Sequence, residues 1–282
     1  MSLSVPDPLV TAAWLADHLA APDVRVVDAT WFLPTLGRDA RAEYRAGHIP
    51  GAVFFDIDEI ADRSVDLPHM LPPSERFAAQ VGALGLGNGH QIVVYDGNDF
   101  AASARVWWMF RAFGHDDVVV LDGGLGQWRR EGRPVEDLPP PPRNRVFVPR
   151  VNRVLVRDFD HVLANVASGH EQLVDVRPAA RFRGEAPEPR PCPIAGHVPG
   201  ALNLPASEVL DPVHRTLLPA ETLRERVAAA GIDLARPIVV SCGSGVTACI
   251  VALALFRLGV TAAIYDGSWA EWSQRPGAPV TR

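Results

Sequence analysis

Ile238-Val239-Val240-Ser241-Cys242-Gly243-Ser244-Gly245-Val246-Thr247-Ala248 is the stretch from which the architecture can be read. A short β-branched apolar run delivers a cysteine into a loop with two glycines, and an apolar helical pattern follows over 246–258. The order is strand, loop, helix. It sets the thiol of Cys242 at the end of a strand, facing backbone N–H groups near a helix N-terminus. Such a setting favours thiolate over thiol and makes the sulfur a nucleophile on a preformed anion cradle. Burial in a core is the commoner fate of a cysteine, but a core cysteine does not need a glycine loop after it.

The strand before this loop has a counterpart earlier in the chain. Ile92-Val93-Val94-Tyr95-Asp96 matches Ile238-Val239-Val240-Ser241-Cys242, and three further pairs follow in the same order. Val26-Val27-Asp28 matches Leu173-Val174-Asp175. Gly47-His48-Ile49-Pro50-Gly51-Ala52 matches Gly196-His197-Val198-Pro199-Gly200-Ala201. Leu121-Asp122-Gly123-Gly124, then Trp128, matches Tyr265-Asp266-Gly267-Ser268, then Trp269 and Trp272. Ordered matches at nearly constant offset indicate a tandem domain duplication rather than a short solenoid repeat. Between the halves runs Leu138-Pro139-Pro140-Pro141-Pro142-Arg143-Asn144-Arg145, whose prolines favour extended geometry and a semi-rigid linker. The expected division is a domain over 1–137, a linker over 138–150 and a second domain over 151–282.

Within each half, short apolar strands alternate with amphipathic helical patterns. Strands are expected over 24–28, 91–95, 118–121, 173–176, 238–241 and 263–265, and helices over 10–19, 74–84, 102–113, 220–230 and 246–258. The alternation predicts an α/β fold with a mostly parallel sheet flanked by helices in each half. Ligands in such sheets bind outside the carboxyl ends of strands, where Cys242 is placed. Asp96 stands at the matching position of the first half. A carboxylate cannot carry sulfur, so the first half reads as catalytically inactive.

Composition narrows the function. The chain has 282 residues, 48% of them hydrophobic, enough for two domains with proper cores. Its formal net charge of −6 gives no electrostatic case for nucleic acid or an anionic membrane as partner. Three cysteines, Cys192, Cys242 and Cys249, do not suggest a disulfide framework and favour a reducing compartment. The stretch Met1–Pro8 lacks a basic region followed by an apolar one, so no signal peptide is expected. No apolar run approaches the roughly 18–20 residues of a membrane span. The expected protein is soluble and cytoplasmic. No Cys/His cluster has zinc-like spacing and no glycine-rich phosphate loop is followed by lysine, so neither metal nor cofactor is expected.

The tandem halves, the Gly-His-Ile/Val-Pro-Gly-Ala turns, the inactive first half and the single loop cysteine resemble two-domain rhodanese-type sulfurtransferases. The loop from Cys242 to Ala248 looks like the 3-mercaptopyruvate branch, because the thiosulfate branch typically carries basic residues just after the cysteine and here Gly243 and Ser244 are neutral. The resemblance runs from about Leu9 to about Trp272. It implies covalent catalysis in two steps: the Cys242 thiolate takes sulfur from 3-mercaptopyruvate, releasing pyruvate, and the persulfide passes it to a thiol, reduced thioredoxin or cyanide. It further implies that Arg181 and Arg190 grip the substrate's carboxylate and ketone, a task suited to fork-shaped cationic donors. Backbone N–H groups of Gly243, Gly245, Val246 and Thr247 would hold the sulfur anion, with the Ser244 and Thr247 hydroxyls as added donors. Ser244, His69 and Asp58 match the relay assigned in some members, with His69 moving a proton and Asp58 orienting it across the two halves.

Other candidates read as structural. His48 and His197 sit in the Gly-His-x-Pro-Gly turns of both halves, including the half without a cysteine. Asp28, Asp175, Asp122 and Asp266 end strands or start Asp-Gly turns. Arg183, close to Arg181, is a decoy, and Cys192 between two prolines could be exposed and oxidisable. Three alternatives share the loop. Thiosulfate sulfurtransfer is disfavoured by the neutral Gly243-Ser244 pair. Cysteine phosphatase chemistry needs an arginine where Ala248 stands. A partner-specific sulfur relay would show the same loop.

Overall fold

A computed structural model describes residues 7–97, 100–141 and 143–282. Residues 1–6, most of the stretch read for a leader, and Pro142 of the proline run lie outside them. The chain divides into two compact units. The first comprises Met1–Asp62, Leu71–Asn152 and His214–Thr216, and the second Arg63–Met70, Arg153–Val213 and Leu217–Arg282.

In the first unit, strands β1 (Leu9–Val10), β2 (Val24–Asp28), β3 (Val53–Phe54), β4 (Gln91–Tyr95) and β5 (Val118–Leu121) form a parallel sheet ordered β1-β5-β4-β2-β3. Its helices are α1 (Ala12–His18), α2 (Ala40–Ala46), α3 (Ser74–Ala83), α4 (Ala101–Ala112) and α5 (Gly124–Arg130). In the second unit, β6 (Val156–Arg157), β7 (Gln172–Asp175), β8 (Leu202–Asn203), β9 (Ile238–Ser241) and β10 (Ala263–Tyr265) repeat that order as β6-β10-β9-β7-β8, again all parallel. Its helices are α6 (Phe159–Ser168), α7 (Ala179–Phe182), α8 (Ala220–Ala229), α9 (Ala248–Arg257) and α10 (Ser268–Trp272). Identical strand order in both sheets is the structural counterpart of the sequence duplication.

The central strands are mostly apolar because both faces are covered. β9 is buried at every residue and β4 at all but its first. One face of the first sheet packs Val26, Val93 and Tyr95 with Leu15 and Trp128. The aromatic rings of Phe55, Phe77, Phe110, Phe113 and Phe147 form a second cluster in that unit. In the second unit Val239, Tyr265, Trp269 and Trp272 pack together. β9 lies between β10 and β7, the place where strand order reverses, so the loop after β9 opens at the switch point of the sheet.

The segment after the proline run is tied down rather than loose. Arg145 N–H donates to Gly82 O (2.9 Å), Val148 N–H to Asn88 Oδ1 (2.6 Å) and Arg150 N–H to Phe113 O (2.8 Å). Phe147 is buried. Residues 143–152 therefore follow the surface of the first unit as a strap. Among the described residues, no helix is long and apolar enough to cross a membrane.

Candidate active site

Cys242 follows β9 and is 1% exposed. Its backbone N–H donates to Ser268 Oγ (3.1 Å), and that hydroxyl donates to Tyr265 O (2.8 Å). The N–H groups of Trp269 and Ala270 donate to Cys242 O (3.0 Å) and Gly243 O (2.8 Å). The start of α10 thus clamps the peptide units on either side of the thiol. Ser268 does this with φ +49°, in the left-handed region that costs a non-glycine residue energy. It is a positioning residue that the sequence reading passed over as part of a turn.

Gly245 takes φ +74°, which glycine adopts without steric cost. α9 starts at Ala248, later than the apolar pattern suggested, because the first turn is tight: Cys249 N–H bonds Val246 O (3.1 Å) and Ile250 N–H bonds Thr247 O (3.1 Å). Among the described residues, the N–H groups of Gly243, Ser244, Val246 and Thr247 donate to no acceptor, and the Ser244 and Thr247 hydroxyls make no hydrogen bond. Backbone donors gathered at a helix start without an acceptor are an anion cradle.

The matching loop of the first unit shows that cradle filled from within. Asp96 follows β4, and its carboxylate accepts from the N–H groups of Phe100 (3.2 Å), Ala102 (3.0 Å) and Ser103 (2.7 Å) at the start of α4. The side chain that replaces cysteine occupies the donors that a sulfur anion would need.

Arg181, on α7, reaches the cysteine loop. A Cβ at Gly243 would lie 3.1 Å from its Nη2, so glycine is what lets the guanidinium pack there. Nε and Nη2 of Arg181 both donate to Glu188 Oε2, the first across 3.0 Å, and Nη1 has no described partner. Glu188 Oε1 accepts from Arg177 Nη1 (2.7 Å), and Arg177 is fork-bonded to Asp175 through Nε (3.0 Å) and Nη2 (2.7 Å). Arg177 is 1% exposed and stacks over the Trp269 ring at 4.5 Å. Burial pushes the Asp175 carboxyl up. Burial also pulls on Arg177, but Asp175 and Glu188 outweigh it and hold the guanidinium above its ordinary value. With four N–H···O contacts from Arg177 onto Asp175, we take the pair as ionised. Asp175, Arg177, Glu188 and Arg181 form one chain of alternating charge that ends at the cysteine loop. Asp175 and Arg177 stand two residues apart at a strand end, a spacing visible in the sequence.

Arg190 Nη2 lies 3.0 Å from His69 Nε2. A guanidinium only donates, so Nε2 is the acceptor and the ring proton sits on Nδ1. His69 is 4% exposed, has φ +60° and groups with the second unit. His69 is thus bonded to Arg190 and not to Ser244. Asp58 belongs to the first unit, where its Oδ2 accepts from Trp31 Nε1 (2.8 Å).

The residues read as structural behave so. His48 Nδ1 bonds Tyr44 O (2.7 Å) and its ring stacks on Tyr44. His197 Nδ1 bonds Phe182 O (2.9 Å) and stacks on Phe182. Arg183 pairs with Glu185 at the surface. Cys249 is buried, with Sγ 3.4 Å from Gly245 O. Cys192 is half-buried against the core cluster of the second unit rather than exposed, and burial pushes its thiol up.

The sequence pattern of the Rhodanese-like domain matches residues 11–131 and 158–275. The chain belongs to the rhodanese-like family. Among relatives of this rhodanese-like protein, the Homo sapiens 3-mercaptopyruvate sulfurtransferase is 43% identical, covering 95% of this chain and 92% of the relative. The Arabidopsis thaliana thiosulfate/3-mercaptopyruvate sulfurtransferase 1, mitochondrial, is also 43% identical, covering 99% of this chain and 79% of the relative. The crystal structure of SseA from Escherichia coli, described as a 3-mercaptopyruvate sulfotransferase, superposes with a TM-score of 0.85 at 39% identity, covering 93% of this chain and 98% of that one. A relative named for two donors matches as well as one named for a single donor. Overall identity therefore does not choose between donors, and the loop must.

Proposed function

We propose that the protein transfers sulfur from 3-mercaptopyruvate to a thiol acceptor through a persulfide on Cys242, releasing pyruvate. The observation that carries this reading is the Arg181 guanidinium beside Gly243, tied to Glu188 through Nε and Nη2 with Nη1 left without a described partner, next to a cysteine loop that has no charged side chain. A carboxylate with an adjacent ketone suits such a donor. Dianionic thiosulfate calls for cations next to the sulfur itself, where Gly243 and Ser244 stand.

In the first step the Cys242 thiolate attacks the substrate sulfur. An S–S bond forms and the C–S bond breaks, with its electron pair passing to carbon as the pyruvate enolate. The proton that the substrate thiol gives up as its sulfur becomes the outer persulfide sulfur passes to that carbon and completes pyruvate. The outer sulfur stays on Cys242 as a persulfide anion, held by the N–H groups of residues 243–247 and the hydroxyls of Ser244 and Thr247. An acceptor thiolate attacks that outer sulfur and restores the Cys242 thiolate. Reduced thioredoxin and cyanide are proposed as acceptors on the same chemistry.

Arg190 binds the substrate carboxylate from the side away from His69. Its Nε and Nη1 have no described partner and are available for that fork. A carboxylate that draws the guanidinium toward itself releases His69 Nε2, which then serves the enolate proton step with Ser244. The first unit is proposed to be catalytically inactive, since Asp96 fills its own cradle. The compartment proposed is the cytoplasm, which suits cysteines that form no disulfide among the described residues.

Mass spectrometry of the protein mixed with 3-mercaptopyruvate, without acceptor, tests the intermediate. The reading expects one added sulfur on the Cys242 peptide and none in Cys242→Ser. An added sulfur on Cys192 or Cys249 instead would overturn it.

A further inference from the structure

The first unit holds a second concave site that the sulfur chemistry does not use. It lies at the amino end of β2, encloses about 440 Å³ and is lined by Arg25, Arg143 and Arg145, with Leu19, Pro50 and Leu84 among its apolar walls. That volume falls within the range of small-molecule sites. In a chain of formal net charge −6, three arginines converge here. Among the described residues none of the three forms an ion pair. Arg25 Nη1 donates to Pro22 O (2.9 Å) and Val24 O (2.7 Å), and Arg145 Nη1 to Asn144 O (3.4 Å).

The arginines are held there by the backbone. The strap that carries Arg143 and Arg145 runs so close to α3 and the turn after it that only glycines fit. A Cβ on Gly82 would lie 2.5 Å from Arg145 O, one on Gly85 2.7 Å from Arg143 O, and one on Gly87 2.9 Å from Val146 O. Gly85 also needs φ +82°. Three glycines seat the strap, and the strap sets two cations opposite Arg25.

Crowding like charges costs energy, and the site shows it. Burial, then Arg145 and Arg143, pull the Arg25 guanidinium below its ordinary value, with Asp23 opposing. Burial, then Arg25 and Arg145, likewise pull His90 down. A ligand with several negative charges would relieve this repulsion.

We propose that this groove binds a polyphosphorylated small molecule through Arg25, Arg143 and Arg145. Separated guanidinium forks ask for anionic oxygens spread along a chain, as in a polyphosphate, rather than for one small anion. The apolar walls leave room for an organic body such as a nucleoside. The site is independent of Cys242, and the proposal does not rest on the sulfurtransferase reading.

Titration calorimetry on the intact protein at physiological salt tests it, with tripolyphosphate and ATP as probes and sulfate at equal ionic strength as control. The expected result is one site for tripolyphosphate, an affinity weakened about ten-fold or more in Arg143→Gln/Arg145→Gln, and unchanged sulfur transfer by that variant. Arg25→Gln should weaken binding as well. Tighter binding of ATP than of tripolyphosphate assigns the apolar walls to a nucleoside, and equal binding assigns the site to the phosphate chain. No binding of either probe, equal binding in the variants, or the same response to sulfate would overturn the proposal.

Discussion

Arg190 donates through Nη2 to Nε2 of His69 across 3.0 Å, joining residues 121 positions apart in the chain. The bond fixes the imidazole tautomer and orients a guanidinium whose other donors are open to a substrate carboxylate. Replacing Arg190 with alanine removes a charge-assisted interaction worth about 1.5–3 kcal/mol. KM for 3-mercaptopyruvate should rise about 10- to 100-fold, with a smaller effect on thiosulfate. Steady-state kinetics with both donors checks this, and equal losses would remove Arg190 from donor selection.

His69→Asn keeps a polar side chain but loses the titrating ring. A fall in kcat of about 100-fold is expected, as for loss of a general acid–base, with a much smaller change in KM. A pH profile of kcat that loses one limb in the variant supports a proton role. A profile of unchanged shape with raised KM would leave His69 only the task of holding Arg190.

Glu188 joins Arg177 to Arg181, and its side chain is 9% exposed. In Glu188→Gln the buried Arg177 keeps Asp175 but loses a charged partner, and Arg181 loses its anchor. Removing one member of a buried charge pair costs about 3–5 kcal/mol. A lower Tm together with a higher KM for 3-mercaptopyruvate is expected. A higher KM alone would mean that Glu188 serves the site and not the fold.

Gly243→Ala places a methyl group against Arg181 Nη2. The contact is with the far end of a flexible side chain, so the fold should survive while the guanidinium moves. A drop in kcat/KM of about ten-fold at unchanged Tm is expected, and wild-type kinetics would show that Arg181 does not need this approach.

Much of this was legible in the sequence. The strands expected over 24–28, 91–95, 118–121, 238–241 and 263–265 form as expected, because central parallel strands are apolar runs bounded by turns. The edge strands β1, β3, β6 and β8 have two residues each, too few for any periodicity to show. The strap after the proline run is fastened by hydrogen bonds and by glycines in α3 and its following turn, contacts that local composition does not encode. Cys242 was visible because strand, loop and helix are contiguous. Ser268 and Glu188 were not, since their roles depend on side chains meeting across separate loops.

Asp96 offers a test of the inactive half. Asp96→Ala strips three backbone N–H groups of their acceptor at the start of α4. A loss of about 3 kcal/mol, or roughly 6–12 °C in Tm, is expected, with the kcat of sulfur transfer unchanged. Thermal unfolding and turnover of one preparation report both. A fall in kcat without a fall in Tm would contradict the reading of the first unit as chemically silent.

The most direct test of the central claim is turnover of 3-mercaptopyruvate against thiosulfate, with cyanide as common acceptor and Cys242→Ser as control. A strong preference for 3-mercaptopyruvate that disappears in the variant is expected. A preference for thiosulfate, or activity surviving without the thiol, would contradict it.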